Sequence, residues 1–269
     1  MLSEEEINLL LNDLIEVYGY DFTGYSKPML QRRINRLFKL RSFSGFNAFR
    51  YLLITEPEYL GWFISELTVP VTEMFRDPSF FLTLRNEVLP ALSNYPLIRI
   101  WNAGCSTGEE VYSVAILLKE LNLLHKTLLY ATDINPEVLK VAATGIFPLN
   151  GMRQYSENYV QSGGIKNFSD YYTAHYELVK FDDRLRKRIV FSTHNLAADT
   201  SFNQFQLIIC RNVLIYFNQE LQNHVFTLFD NSLESKGFLA LGSKETLRFA
   251  AIYPYFERIN SKEKVWRKF

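Results

Sequence analysis

Residues 98–121 read IRIWNAGCSTGEEVYSVAILLKEL: a short apolar run, a glycine-containing turn and a helical stretch in succession. Similar apolar runs recur toward the C-terminus, separated by helical stretches, and this alternation is typical of βαβ units in a mostly parallel sheet. The predicted strands are Ile98–Asn102, Leu128–Thr132, Ile189–Thr193, Leu207–Cys210 and Phe238–Leu241, and the predicted helices are Glu109–Leu121, Pro136–Thr144 and Gln219–Leu233. Two last runs, near Phe256–Ile259 and Val265–Trp266, are close enough to pair as a hairpin.

The residues before this region predict a separate helical domain. Ser3 and Glu6 have the spacing of a capping box, and apolar residues then recur every three or four positions. One more helix is predicted at residues 80–92, ended by Asn94 and Pro96. Residues 146–188 interrupt the later alternation with a period of two, which indicates a small antiparallel β insertion. The sequence therefore predicts an α/β, Rossmann-like sheet domain at residues 76–269, with 146–188 inserted in it, and an all-helical domain at residues 1–75.

Composition excludes several classes of protein. The chain has 269 residues with 29 basic and 29 acidic side chains, so it lacks the basic excess of a general nucleic-acid binder. Its two cysteines, Cys105 and Cys210, form no CxxC metal site, and no apolar run approaches the ~18 residues of a membrane span. The N-terminus is acidic where a signal peptide would be basic. We expect a soluble, cytoplasmic protein with no metal, no nucleic acid and no membrane insertion.

The first βα turn carries two glutamates where dinucleotide-binding folds hold a pyrophosphate. Gly104 would let the backbone approach a ligand closely, and Glu109 and Glu110 begin the following helix. Two anions at a helix N-terminus oppose phosphate binding and favour a cationic nucleoside without phosphate, such as S-adenosylmethionine. The alternative is that both glutamates only complement the helix dipole.

Three later turns add candidate residues at the same edge of the sheet. Asp133 follows the second strand, where an acid can take both ribose hydroxyls or merely cap the next helix. Asn195 and Leu196 follow the third strand and could contact adenine. Asn212 follows the fourth strand, where a polar residue indicates either a binding site or a backbone cap.

Four ordered segments make the sequence similar to the chemotaxis receptor methyltransferase family, CheR. They read VTEMFRD (71–77), RIWNAGCSTGEE (99–110), ATDI (131–134) and CRNVLIYF (210–217). The resemblance covers nearly the whole chain and implies a protein-glutamate O-methyltransferase that modifies glutamate side chains on chemoreceptor cytoplasmic helices with S-adenosylmethionine. The alternatives are methylation of another protein or of a small-molecule carboxylate, and a non-catalytic module that only binds the cofactor.

The resemblance also implies roles for individual residues. Thr72 and Arg76, between the two domains, would close over the cofactor, and Pro70 stands where relatives often carry a polar residue, which puts a side-chain contact there in doubt. The rest of the pocket would consist of Glu109 at the amino end of the cofactor, Asp133 at its ribose, and Asn195, Leu196, Arg211 and Asn212.

The expected chemistry needs no general base. A glutamate carboxylate has a pKa of about 4.3 and is already the nucleophile at neutral pH, so no catalytic histidine is predicted. The four histidines share no close spacing and are expected to be structural or surface residues. Arg76 is expected to orient the reactants or bind the cofactor. Tyr216 is expected to hold the incoming carboxylate by its hydroxyl; the alternative is an aromatic packing role.

A basic segment in the helical domain is the predicted partner surface. Residues 22–55 contain no acidic side chain, and their basic residues include Arg32, Arg33, Arg36 and Lys39. These could lie along an acidic receptor bundle, or form an ordinary solvated helix face. The insertion would correspond to the family's β-subdomain, which in some members docks a tethering peptide from the receptor C-terminus; whether this chain does so is open. A monomer is expected.

Overall fold

The computed structural model describes residues 1–68 and 72–269, and its N-terminal part is a bundle of four helices. The helices are α1 (Glu4–Tyr18), α2 (Lys27–Leu40), α3 (Phe46–Thr55) and α4 (Pro57–Thr68). The predicted capping box is confirmed, because the Ser3 hydroxyl accepts the N–H of Glu6 and the Glu6 carboxylate accepts the N–H of Ser3. The feature noted at Pro70 lies outside the described residues.

The bundle has its own apolar core. Its fully buried side chains come from all four helices and include Leu14, Ile34, Phe49 and Phe63. Met74 and Phe75, which the sequence analysis placed in the helical domain, pack instead in the core of the α/β domain. Among the described residues, Leu67 is the last one in the core of the bundle.

The predicted Rossmann-like sheet is confirmed, with seven strands in the order β6-β2-β1-β7-β8-β10-β9. Five strands are parallel: β1 (Ile98–Ala103), β2 (Thr127–Asp133), β6 (Ile189–Thr193), β7 (Phe205–Cys210) and β8 (Leu233–Leu241). The last two, β9 (Phe256–Asn260) and β10 (Val265–Lys268), form the predicted antiparallel hairpin beside β8. Every residue of β7 is buried, as expected for a central strand covered on both faces.

Helices pack on both faces of the sheet and leave its carboxyl edge accessible. The main ones are α7 (Glu109–Glu120), α8 (Pro136–Thr144) and α11 (Gln219–Ser232). Asn135 caps α8 through its side-chain oxygen, and Pro136 fills the first helical position, where a missing N–H costs nothing. No helix within residues 1–68 and 72–269 combines the length and apolar character that a membrane crossing requires.

The helix predicted at residues 80–92 is irregular. It consists of α5 (Pro78–Thr83), a π-helical turn (Leu84–Val88) and the short α6 (Leu89–Ala91). Pro90 has no N–H to continue the α-helical ladder, and the wider π turn directly precedes it. Apolar periodicity predicted the helix but not this change of hydrogen-bonding pattern.

The insertion is a three-stranded antiparallel sheet, as predicted, with an added helix. Its strands β3 (Ile146–Pro148), β4 (Tyr172–His175) and β5 (Leu178–Phe181) lie in the order β3-β5-β4. The helix α9 (Met152–Gln161) was not predicted, and the short α10 (Asp183–Arg186) leads back to β6. The carboxylate of Glu120 on α7 accepts hydrogen bonds from Tyr159 and Tyr171 and pairs with Arg85, which fixes the insertion to the sheet domain.

Candidate functional site

A cavity lies at the carboxyl edge of the parallel strands, the position where open α/β sheets bind ligands. One wall comes from the turns after β1, β2, β6 and β7, and the other comes from the helical domain. Most of the site residues predicted from the sequence are found in the lining of this cavity. They are Thr72, Arg76, Gly104, Asp133, Asn195, Leu196, Arg211, Asn212 and Tyr216.

Asp133 is held by the backbone at the end of β2. Its carboxylate accepts the N–H of Ser106 at 2.9 Å and the N–H of Asn135 at 3.0 Å. Burial raises its pKa, and these backbone donors oppose that shift. A carboxylate oriented in this way keeps lone pairs free toward the cavity and can accept hydrogen bonds from a pair of ribose hydroxyls.

Gly104 is required for the close approach of two turns. Its φ is +77°, and a Cβ at this position would lie 2.4 Å from the Val213 side chain. The N–H groups of Gly104 and Cys105 both donate to the carbonyl of Thr132, at 2.8 and 2.9 Å. The glycine thus lets the turn after β1 fold between β2 and the loop after β7.

The two glutamates at the start of α7 have different positions. Glu110 lines the cavity and accepts a hydrogen bond from Asn102 at 2.8 Å. Glu109 is buried away from the cavity, where it accepts the Thr107 hydroxyl at 2.6 Å and burial raises its pKa. Adjacent residues point about 100° apart around a helix, so Glu110 faces the cavity, whereas Glu109, predicted to contact the amino end of a cofactor, does not.

Arg211 is a charge-compensated residue. Its side chain is 2% exposed and pairs with Asp77 at 2.5 Å and with Glu110 at 2.9 Å. The guanidinium lies 4.0 Å from the ring centroid of Phe80 and donates to the carbonyl of Arg76 at 3.3 Å. Arg211 therefore ties the segment before α5 to the cavity wall, and its charge is already neutralised by two carboxylates.

A buried glutamate that the sequence analysis missed organises the loop after β7. The carboxylate of Glu245 accepts N–H groups from Asn212, Val213 and Leu214 at 3.1, 2.9 and 2.8 Å, and from Gly242 at 2.6 Å. This loop supplies Asn212 and Tyr216 to the cavity. The alternative role predicted for Asn212 was to cap backbone groups of this loop. The backbone groups are capped, but by the Glu245 side chain.

The helical domain contributes residues that the sequence analysis assigned elsewhere or did not name. Arg33, predicted for partner binding, lines the cavity with its guanidinium 4.8 Å from the ring centroid of Tyr216. Tyr25, which was not named, lines the same wall. The other predicted partner residues stay on the outer face of α2: Arg32, Arg36 and Lys39 are exposed, and Arg36 pairs with Glu66 at 2.7 Å.

His194 is a further residue at the cavity. The sequence analysis gave the four histidines structural or surface positions, whereas His194 lines the cavity and is 8% exposed. Its ring packs edge-on against Trp101, with centroids 5.1 Å apart. Its place in the chain, directly before Asn195, was the signal that could have identified it.

The side chains around the cavity suit a nucleoside that carries positive charge. Asp133 and Glu110 would repel a phosphate, whereas they can accept hydrogen bonds from hydroxyls and from an ammonium group. Leu196 and Ile215 add apolar surface for a base. Ser106 also lines the cavity, and its buried hydroxyl has no protein partner among the described residues. S-adenosylmethionine carries the groups that these residues suit: ribose hydroxyls, an ammonium group and a base, with no phosphate. Within residues 1–68 and 72–269, no cluster of three or more His, Cys, Asp or Glu side chains could hold a metal.

Comparison with known proteins places the whole chain in one family. Residues 70–265 match the CheR methyltransferase SAM-binding domain, and residues 5–68 match the CheR methyltransferase all-alpha domain. The chain is 47% identical to the Pseudomonas putida protein Cher3 over 98% of its own length and 96% of that protein. It is 32% identical to a chemotaxis protein methyltransferase of Listeria innocua, covering 87% of each chain, and 30% identical to one of Borreliella burgdorferi, covering 92% and 90%.

Proposed function

Because the chain belongs to the CheR methyltransferase family, we propose that it forms methyl esters on glutamate side chains of chemoreceptor cytoplasmic helices. The sequence and its relatives identify a chemotaxis protein methyltransferase with a domain for S-adenosylmethionine. Beyond this, we propose that receptor glutamates are the methyl acceptors, which would make the chain a protein-glutamate O-methyltransferase. The cytoplasm is the proposed place of action because the acceptor helices are there.

One observation carries this proposal: the basic helix α2 contributes directly to the cofactor cavity. Arg33 lies against Tyr216, while Arg32 and Lys39 on the same helix are exposed. An acidic helical partner that lies along α2 would therefore have its side chains next to the cavity. Opposite charges on the two surfaces would also accelerate the encounter.

The chain's own residues act mainly by positioning. Bound S-adenosylmethionine supplies an activated methyl group, so the acceptor carboxylate needs alignment rather than deprotonation. The Tyr216 hydroxyl has no protein partner among the described residues and can donate to one carboxylate oxygen. Arg76, which also lines the cavity, orients the reactants. Because Asp77 and Glu110 compensate Arg211, it would not trap the acceptor in a strong ion pair.

A methylation assay with methyl-labelled S-adenosylmethionine and the cytoplasmic fragment of a receptor tests the proposal. We expect label in the receptor fragment that mild base releases, as it does from esters, and no label when the acceptor glutamates are replaced by alanine. Label stable to mild base would indicate N-methylation and contradict the proposal. Cofactor binding without any transfer would support a non-catalytic module instead.

The partner is proposed to include more than one receptor segment. Strand β4 is at an edge of the small sheet, so its outer backbone groups can pair with an added strand. A peptide from a receptor C-terminus would bind there, with the enzyme as a monomer. Deletion of the receptor tail should then reduce methylation without changing cofactor affinity, and equal rates with and without the tail would exclude this use of the insertion.

A further inference from the structure

The connection between α1 and α2 pairs with the loop after β7. In this connection, the strap (residues 24–26), the N–H of Ser26 donates to the carbonyl of Tyr216 at 2.9 Å. The N–H of Asn218 donates back to the carbonyl of Gly24 at 2.8 Å. The helical domain is thus attached by backbone hydrogen bonds to a loop that lines the cavity.

The close packing of the strap fixes the position of its central residue. A Cβ on Gly24 would lie 2.7 Å from the Leu221 side chain of α11. The strap therefore cannot move closer to α11 and has no room for a larger residue at position 24. Tyr25 lies opposite Phe217 in an antiparallel bridge, and their ring centroids are 4.8 Å apart in an edge-on arrangement. The side chain of Tyr25 is therefore held in place at the cavity wall.

The hydroxyl of Tyr25 is a donor without a protein acceptor. Tyr25 lines the cavity, and its hydroxyl makes no hydrogen bond to residues 1–68 or 72–269. Burial raises the pKa of Tyr25, and the carboxylates of Asp133 and Asp21 raise it further. The phenol therefore keeps its proton at neutral pH and stays available as a donor on the Asp133 side of the cavity.

We propose that the Tyr25 hydroxyl is a cofactor contact supplied by the helical domain, and that it donates a hydrogen bond to the nucleoside part of S-adenosylmethionine. The inference rests on the proposed function only in that the cofactor occupies this cavity. Because Tyr25 belongs to the strap, cofactor affinity would also depend on the attachment of the helical domain to the loop after β7. By linkage, bound cofactor would then stabilise this attachment.

Binding to the full chain without turnover tests the contact. Titration calorimetry would use S-adenosylhomocysteine and 5′-methylthioadenosine, which share the nucleoside but differ in the amino-acid part. We expect Tyr25→Phe to weaken binding of both ligands by about three- to tenfold, the loss of one hydrogen bond. Tyr51→Phe, a matched change at a 63% exposed tyrosine of the same domain, should leave both affinities unchanged. The unliganded melting temperature should not move, because phenylalanine keeps the ring contacts with Phe217.

Three outcomes would count against the proposal. Affinities of Tyr25→Phe within twofold of wild type, together with a large loss in Asp133→Ala, would overturn the Tyr25 contact but keep the cavity as the cofactor site. A loss for S-adenosylhomocysteine alone would overturn the assignment to the nucleoside. Unchanged binding in both Tyr25→Phe and Asp133→Ala would remove the cofactor from this cavity and overturn the proposed function of the site as well.

Discussion

The carboxylate of Glu245 accepts the backbone N–H of Asn212 at 3.1 Å, across 33 positions of sequence. Asn212 has a φ of +60°, a left-handed conformation that costs a residue other than glycine about 1 kcal/mol or more. Glu245 is 5% exposed and forms no ion pair in the described part of the chain, so backbone donors alone satisfy it. One buried carboxylate thus stabilises the turn that presents Asn212 and Tyr216 to the cavity.

Removal of this carboxylate should affect both stability and the site. Glu245→Ala leaves three consecutive N–H groups of the turn without an acceptor, and we expect the free energy of unfolding to fall by about 2–4 kcal/mol. Glu245→Gln keeps one oxygen and should cost less, yet still weaken S-adenosylhomocysteine binding. Urea unfolding and calorimetry measure the two effects. Glu257→Gln, at a 47% exposed side chain, is the control; a fully stable Glu245→Ala would contradict this role.

Asp133 should be required for cofactor affinity. Its replacement by alanine removes the acceptor proposed for the ribose hydroxyls, and we expect at least about tenfold weaker binding of S-adenosylhomocysteine, equivalent to ~1.4 kcal/mol. Because Asp133 also accepts the N–H of Ser106, Asp133→Asn should be measured in parallel as the variant that keeps one oxygen. Asp170→Ala, at an exposed position, is the control. Calorimetry showing wild-type affinity in both Asp133 variants would refute the assignment.

Charge reversal on the outer face of α2 should separate docking from cofactor binding. Arg32→Glu combined with Lys39→Glu changes two exposed residues, and we expect receptor methylation to slow by tenfold or more at low salt. The difference should shrink as salt screens the surface charges, and cofactor affinity should not change. The matched control reverses two lysines elsewhere, Lys236→Glu with Lys262→Glu. Equal methylation rates of both double variants at low salt would exclude docking through α2.

The buried Glu120 should make the protein sensitive to acid. Burial raises the pKa of Glu120, but hydrogen bonds from Arg85, Tyr159 and Tyr171 outweigh burial and leave the pKa below its ordinary value. A lowered folded-state pKa contributes stability above the unfolded value of about 4.3, and this contribution is lost as pH falls through the folded value.

The variant Glu120→Gln isolates that contribution. It leaves Arg85 buried without its partner, and we expect a loss of about 3–5 kcal/mol in unfolding free energy at pH 7. The difference in unfolding free energy between wild type and variant should shrink as pH falls below the ordinary glutamate pKa of about 4.3, because the unfolded wild-type chain then binds a proton that the folded carboxylate takes up only at lower pH. Urea unfolding from pH 7 to pH 3 checks this. A gap that is constant over this range would show that the charge of Glu120 is not involved.

Much of the fold could be predicted because local periodicity and tertiary packing agree. The strands at residues 98–102 and 189–193 and the helix at 136–144 were found within a residue of their ends. The helix α9 was missed because its buried face relies on Met152, Asn158 and Tyr159, which make no regular apolar stripe. Propensity also gave no signal for the π turn before Pro90.

The candidate site was predictable only where its residues follow strands. Asp133, Asn195 and Asn212 come one or two residues after the ends of predicted strands, and parallel strands bring such positions to one edge. Tyr25 reaches the cavity through the pairing of two domains, which no local pattern encodes. Glu245 acts through backbone groups of a loop that is distant in sequence. Which of Glu109 and Glu110 faces the cavity depends on the residue at which α7 begins.

The contact between Gly24 and Leu221 limits how this protein can be recombined with its relatives. A methyl group on residue 24 would already overlap the leucine, so the two positions must be compatible in size. A chimaera that takes its helical bundle from one relative and its sheet from another would fail wherever the bundle brings a larger residue at this point. A chimaera that folds would have to take residues 24–26 and α11 from the same relative.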